Sequence, residues 1–256
     1  MYETHPIFIQ PDDENVKVWR YMDFTKFISL IVTRKLYFAR ADRFDDPFEG
    51  SWPKINVDAR KPLFKHLPEE DQRKRLEGFS YINKRFLRYH ALNCWHENEY
   101  ESAAMWKLYL KSDEGIAIQS TYKLLKNSIL DNETVLIGKV KYIDFEKEFI
   151  DARNGFSAFL HKRKSFEHER EIRAIVTRFP PSVEDEPPSN CETLNLKIDT
   201  IFDGIPIKVD IKTLIQKIHV APNTPTWLYD LVKEVLEKYG YDFEVIHSQM
   251  DSNPMF

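Results

Sequence analysis

Cysteine is nearly missing from this sequence: Cys94 and Cys191 are the only two in 256 residues, and neither belongs to a Cys-x-x-Cys pair or to a cluster with zinc-ligand spacing. That argues against a disulfide framework and a structural zinc site, and for two ordinary thiols in a reducing compartment. Glycine is scarce too, at 7 residues. No Gly-rich phosphate loop and no nucleophile elbow occurs, so Walker-type nucleotide hydrolases and serine hydrolases find no support. The eight histidines form no close pair of metal-ligand spacing, and no metal is expected. No apolar run approaches the roughly 20 residues that span a bilayer. The start, Met1 to Pro6, has no cationic stretch followed by an apolar one. A cytoplasmic protein without membrane attachment is the expectation. Nor is there a surplus of positive charge: the net charge is −4 and the pI near 6.1, which gives no whole-molecule attraction to nucleic acid or anionic lipid.

What is present is apolar and aromatic. Hydrophobic residues make up 42% and aromatic ones 14%, with 18 Phe and 12 Tyr, enough to offset the entropy cost of folding. One elaborated domain over residues 1–256 is expected. Strands are expected over 16–21, 35–40, 91–95, 115–120, 135–142, 172–176, 194–198, 205–209, 215–220 and 243–246. Helices are expected after an Asp23 cap to about Thr33, over 68–89, after a Ser102 cap, over 122–130, over 145–160 and over 226–239. Strands and helices mix without strict alternation. The fold class is therefore α+β, with mixed, largely antiparallel sheets and packed helices. The stretch 179–190, with four prolines and several acids, reads as a mobile surface loop.

Three constellations carry candidate chemistry. In His161 to Arg173, the residues Glu169, Glu171 and Arg173 share one face if a strand begins at Glu169. Close carboxylates raise one another's pKa while Arg173 lowers both, so one Glu can accept a proton or stabilise developing positive charge and its partner can orient a nucleophile. The plain alternative is an edge strand with ordinary ion pairs. In Arg43 to Gly50, the residues Asp45, Asp46 and Glu49 can hold a cation or sugar hydroxyls, or simply cap the turn that Pro47 fixes. The third is Ser102 to Tyr109 followed by Gly115 to Thr121. There Trp106 and Tyr109 share a helical face, and the Ser120 and Thr121 hydroxyls end a strand.

Taken in order, Trp19-Arg20-Tyr21, Leu36 to Arg40, Phe44 to Gly50, Met105 to Tyr109 and Phe166 to Arg173 resemble the bacterial domain of unknown function 2971 family, across about Val16 to Ser248. A second similarity is to ADP-ribosyltransferases of the Arg, Ser-Thr-Ser, Glu-x-Glu type, through Arg20, Ser120-Thr121 and Glu169-Arg170-Glu171. That resemblance implies an ADP-ribosyltransferase-like fold and NAD as co-substrate. It gives Arg20 a phosphate to hold, Ser120 and Thr121 the support of a nicotinamide pocket, and Glu171 the stabilisation of the ribose as nicotinamide leaves. The chain has Gln119-Ser120-Thr121 where Ser-Thr-Ser or Ser-Thr-Thr is usual, and the Phe44 to Gly50 loop has no place in the pattern.

The leading expectation is an NAD-consuming transferase or glycohydrolase, acting as a toxin or phage-defence effector with a protein or nucleic-acid acceptor. A second is a non-catalytic nucleotide-sensing or protein-binding domain in which the cations from Lys162 to Arg173, Arg163 among them, and the Asp45 to Glu49 loop hold the ligand without turning it over. A third is a metal-dependent phosphodiesterase, should Asp45, Asp46, Glu49, Glu169 and Glu171 converge.

Overall fold

A computed structural model describes residues 1–109, 114–182 and 194–251. The chain opens with a short strand, β1 (Tyr2–Glu3), and then β2 (Lys17–Asp23). Asp23 ends β2 and caps α1 (Phe24–Thr33), its carboxylate accepting from the Lys26 N–H at 2.8 Å. Phe27, Leu30 and Ile31 of α1 fall at helical spacing and are buried, each contributing about 1.5–3 kcal/mol. Arg34, left-handed at φ 55°, closes the helix and turns the chain directly into β3 (Lys35–Arg40).

The short α2 (Lys54–Asp58) and the long α3 (Glu69–Leu87) follow, and none of the side chains of α3 is fully buried. Next come β4 (His90–Glu97), α4 (Ala103–Tyr109) and β5 (Gly115–Thr121). The middle of the chain supplies α5 (Tyr122–Asn127), β6 (Val135–Lys139), β7 (Lys141–Ile143), β8 (His161–Arg163) and β9 (Glu171–Thr177). The last part adds β10 (Gly204–Lys208), α6 (Ile211–Leu214), β11 (Lys217–Val220), α7 (Thr226–Lys238) and β12 (Glu244–His247). Ten of the strands form one mixed sheet, antiparallel except where β1 meets β6 and β11 meets β12, and β7 and β8 pair separately. The α+β class with a largely antiparallel sheet is what the sequence pattern implied. Among the described residues no helix is long and apolar enough to cross a membrane.

The sheet branches at β4. One edge of β4 runs along β9 from His90↔Thr177 to His96↔Glu171. The other edge is shared: Val18 and Trp19 of β2 face Glu97 and His96, while Ala39 and Arg40 of β3 face Leu92 and Ala91. β2 continues into an arm with β5, β11 and β12, and β3 carries β10. Between the two contact points the register gives Asn93 to Trp95 no ladder partner on that edge, and buried backbone groups need partners. Side chains reach across the gap. The Asn93 amide donates to the Tyr37 carbonyl at 2.9 Å, and Arg20 Nη1 donates to the Cys94 carbonyl at 2.7 Å. A fork results, with β2 and β3 as its arms, β4 at its base and α1 joining the arms.

Three expectations fail locally. Residues 145–160 do not form an α-helix; only a 3-10 turn, Gly155–Phe159, occurs there. The side chains of Asp144, Asp151 and Asn154 accept from the N–H groups of Glu146, Arg153 and Phe156, which diverts the backbone from helical pairing. Buried Asn56 also bonds both the N–H and the carbonyl of Ile150 and holds that segment open. The second failure is at 135–142, where the expected single strand breaks at Val140, whose N–H turns to the Glu171 carbonyl. Third, 194–198 contributes an isolated bridge, Leu194 to Ser182, followed by a turn. Most of the loop expected over 179–190 lies outside the described residues.

His90, at the start of β4, is buried with its ring stacked on Phe159 at 4.2 Å and Nδ1–H donating to the Phe86 carbonyl at 2.7 Å. Burial lowers its pKa from 6.5 to about 4. The unfolded imidazole takes up a proton near pH 6.5 and the folded one only near 4, so the unfolded state binds more protons between them. Stability present above pH 6.5 is therefore lost as pH falls towards 4, by about 3 kcal/mol from this residue. Urea unfolding followed from pH 7 to 4.5 should show the loss, and His90→Phe should flatten that part of the profile.

Candidate active site

The fork encloses a cavity of about 400 Å³, within the range of about 300–1,000 Å³ usual for small-molecule sites. β2 contributes Arg20 and Tyr21, β3 contributes Tyr37, β4 contributes Cys94 and His96, α4 contributes Tyr109, and Glu169 and Glu171 close the wall where β9 begins. Lys26 and Lys35 border the same cavity from α1 and the start of β3. Aromatic walls, cations from β2, β3 and α1 and carboxylates from the β9 side therefore share one space.

Each placement has a local cause. β9 starts at Glu171 and not at Glu169, because residues 164–169 form a 3-10 turn ending at Arg170, which is left-handed at φ 38°. Glu169 consequently leaves the strand, yet the two carboxylates still converge, since Lys162 Nζ hydrogen-bonds Glu169 and lies 3.5 Å from Glu171. Arg20, half-buried, is fixed by the Cys94 carbonyl. Burial pulls its guanidinium down from the usual range, while Cys94, Tyr109 and Glu171 act the other way, which places Arg20 within electrostatic reach of the carboxylate end.

Behind the cavity wall lies a buried ionic network. Arg173 donates from Nε to Glu171 at 2.7 Å and from Nη2 at 3.0 Å, and it grips Glu49 at 2.5 and 3.1 Å. Its Nη1 also donates to the Phe159 carbonyl at 2.6 Å. Arg173 is 0% exposed. Burial alone would raise the Glu171 pKa, but Arg173 and Lys162 outweigh it and hold the carboxylate down at about 2. Glu49 goes the other way, raised by burial against the pull of Arg173. Two cations, Lys162 and Arg173, serve three carboxylates, Glu49, Glu169 and Glu171, so the carboxylate farther from Lys162 is the easier to protonate. Burial beside Glu171 also pushes the Cys94 thiol and the Tyr109 hydroxyl up, and both stay protonated.

Of the residues singled out in the sequence, Arg20, Tyr21, Tyr109, Glu169 and Glu171 line the cavity. The Asp45 to Glu49 loop does meet β9: Glu49 binds Arg173, and Asp46 binds Arg163 at 2.7 Å beneath the Phe48 ring. The positive charge between Glu49 and Glu171 is thus supplied by Arg173. Asp45 is exposed, and Arg43 pairs with Asp203 at 2.7 Å on the surface. Trp106 is buried against Tyr21 and donates to Glu101 at 2.8 Å.

Ser120 and Thr121 lie elsewhere. Ser120 is buried beside α6, with its hydroxyl on the Leu214 carbonyl at 2.5 Å, and Thr121 caps α5. Neither lines the cavity. Cys94 and His96 were not singled out. A period-2 reading of β4 continued one residue past Trp95 puts His96 on the face of Cys94, and stopping the strand at Trp95 hides it.

No protein-family model and no curated protein matches the chain. Among solved structures it is similar to Thermus sp. 2.9 DarT in complex with NAD+, at 7% identity, covering 95% of this chain and 100% of that one, with a TM-score of 0.42. It is also similar to Thermus sp. 2.9 DarT in complex with ADP-ribosylated ssDNA, at 8% identity over 95% and 97% of the two chains, with a TM-score of 0.39. Likeness of that order leaves the assignment of function to the residues of the cavity itself.

Proposed function

We propose that the chain consumes NAD, as an ADP-ribosyltransferase or glycohydrolase, in the cavity between β2 and β3. The supporting observation is that Arg20, Tyr109 and the Glu169–Glu171 pair, drawn from three separate parts of the sequence, border one cavity. The distribution of charge suits NAD. Arg20, Lys26 and Lys35 offer cations to a pyrophosphate, and charge-assisted bonds of that kind are the stronger ones. The aromatic walls offer faces to planar rings.

At the other end, ionised Glu171 is held by Arg173 and Lys162 in a fixed position. A preorganised carboxylate there stabilises the positive charge that develops on the ribose carbon as nicotinamide departs, without reorganising at the moment of reaction. Glu169, tethered by the same lysine, is placed to orient the incoming nucleophile. The motif resemblance extends the reading to a toxin or phage-defence effector with a macromolecular acceptor.

Calorimetric titration with NAD tests the assignment of the cavity. Arg20→Ala is expected to weaken binding by about 10- to 100-fold, the equivalent of roughly 1.5–3 kcal/mol for hydrogen bonds to a charged group. Ser120→Ala, outside the cavity, is expected to bind as the unaltered chain does. Equal affinity of Arg20→Ala and the unaltered chain would remove the assignment.

A further inference from the structure

His96 stands apart from the other polar groups of the cavity. It lies on β4 opposite Glu171 of β9 and is 3% exposed, and its ring borders the cavity. Nδ1–H donates to the Glu169 backbone carbonyl at 2.6 Å, which fixes the tautomer: the proton is on Nδ1 and the lone pair on Nε2. Nε2 is buried and has no hydrogen-bond partner among the described residues. A buried acceptor left unpaired costs about 1–3 kcal/mol, and the residue that carries this one lines the cavity. Burial lowers the His96 pKa, with Arg170 and His168 acting in the same direction and the Glu169 carbonyl and Glu97 against it, so the ring is neutral and its lone pair free. Tyr21, the nearest aromatic neighbour, directs its hydroxyl to the Ser102 N–H and leaves Nε2 alone.

Resting on the NAD-consuming reading, we infer that His96 is the general base that activates the nucleophile in this cavity. In the step, the bond between the ribose C1′ and the nicotinamide nitrogen breaks and its electron pair leaves with nicotinamide. The oxygen of water, or an O–H or N–H acceptor, forms the new bond to C1′. The proton it loses passes to His96 Nε2 and from there to solvent. Division of labour follows: Glu171 stabilises the departing side and His96 deprotonates the arriving one. The Glu169 carbonyl holds the imidazole in the tautomer this requires.

His96→Asn retains an N–H for the Glu169 carbonyl but has no basic nitrogen. With NAD and water, nicotinamide release by this variant is expected to fall by roughly 10²–10⁴-fold with NAD affinity retained. Azide, an anion that attacks without losing a proton, is expected to restore release in His96→Asn, giving the azido sugar, and not in Glu171→Gln. Full activity of His96→Asn in water would overturn the inference and leave the NAD reading standing. Loss that azide does not repair while NAD still binds would also overturn it, marking His96 as a positioning residue. No nicotinamide from the unaltered chain would remove the NAD reading and the inference with it. Should His96→Asn fail to fold, long-range ¹H–¹⁵N spectra of the unaltered chain decide: a bare Nε2 supports the base, a protonated one rules it out.

Discussion

Glu171→Gln is expected to slow nicotinamide release from NAD by about 10²–10³-fold while leaving NAD affinity nearly unchanged. The substitution keeps the shape of the side chain and its place on the cavity wall. What it removes is the charge, which in the unaltered protein persists to about pH 2 because Arg173 and Lys162 outweigh the effect of burial. A group that acts mainly on charge developing in the transition state lowers turnover more than it lowers binding. The fold should survive, because Arg173 keeps its paired bonds to Glu49 and Lys162 keeps Glu169. Release is read by chromatography and folding by circular dichroism. A Glu171→Gln protein that is folded and as fast as the unaltered chain would refute the role given to Glu171.

Arg173→Met should produce the largest loss of stability, about 3–5 kcal/mol. The guanidinium is fully buried and forms bidentate pairs with Glu49 and Glu171 on either side. Removing it leaves two buried carboxylates, of which Glu171 keeps Lys162 at 3.5 Å while Glu49, already raised by burial, loses the cation it is paired with. An uncompensated buried charge costs more than the pair contributed, so the double substitution Arg173→Met with Glu49→Gln should recover part of the loss. Urea unfolding of the single and double variants measures the coupling. Equal stability of Arg173→Met and the unaltered chain would show that the network carries no structural weight.

Much of the fold is legible in the sequence because local signals and tertiary packing agree. Asp23, followed by Phe24, Phe27, Ile28 and Ile31, marks a cap and an apolar stripe, and α1 starts and buries its face accordingly. Residues 145–160 show the opposite case. Their apolar residues suggest a helix, but three local side-chain caps, from Asp144, Asp151 and Asn154, and a distant partner, Asn56, decide the backbone, and only the last of these lies far away in the chain.

The site divides along the same line. Glu171 and Arg173 are visible as a charged pair, because residues two apart on an extended chain share a face, whereas Glu169 sits in a turn and joins them through Lys162. That Glu49 completes the cluster from 124 positions away is not visible. Arg20 and Ser120 follow one motif, yet the cavity takes the first and not the second. The β2–β5 register pairs Ser120 with Val18, on ground that the α6 carbonyl of Leu214 occupies. His96 escapes notice for a simpler reason. Its importance lies in an unpaired ring nitrogen, which no spacing reveals.

Quantifying nicotinamide and intact NAD after incubation with the purified, folded chain tests the central claim most directly. The expected result is nicotinamide released in proportion to protein and time, stopped by Glu171→Gln. The contradicting result is NAD that binds, raises the melting temperature as any ligand selective for the folded state does, and is recovered intact: that outcome would make the fork between β2 and β3 a sensor of the nucleotide and not its consumer.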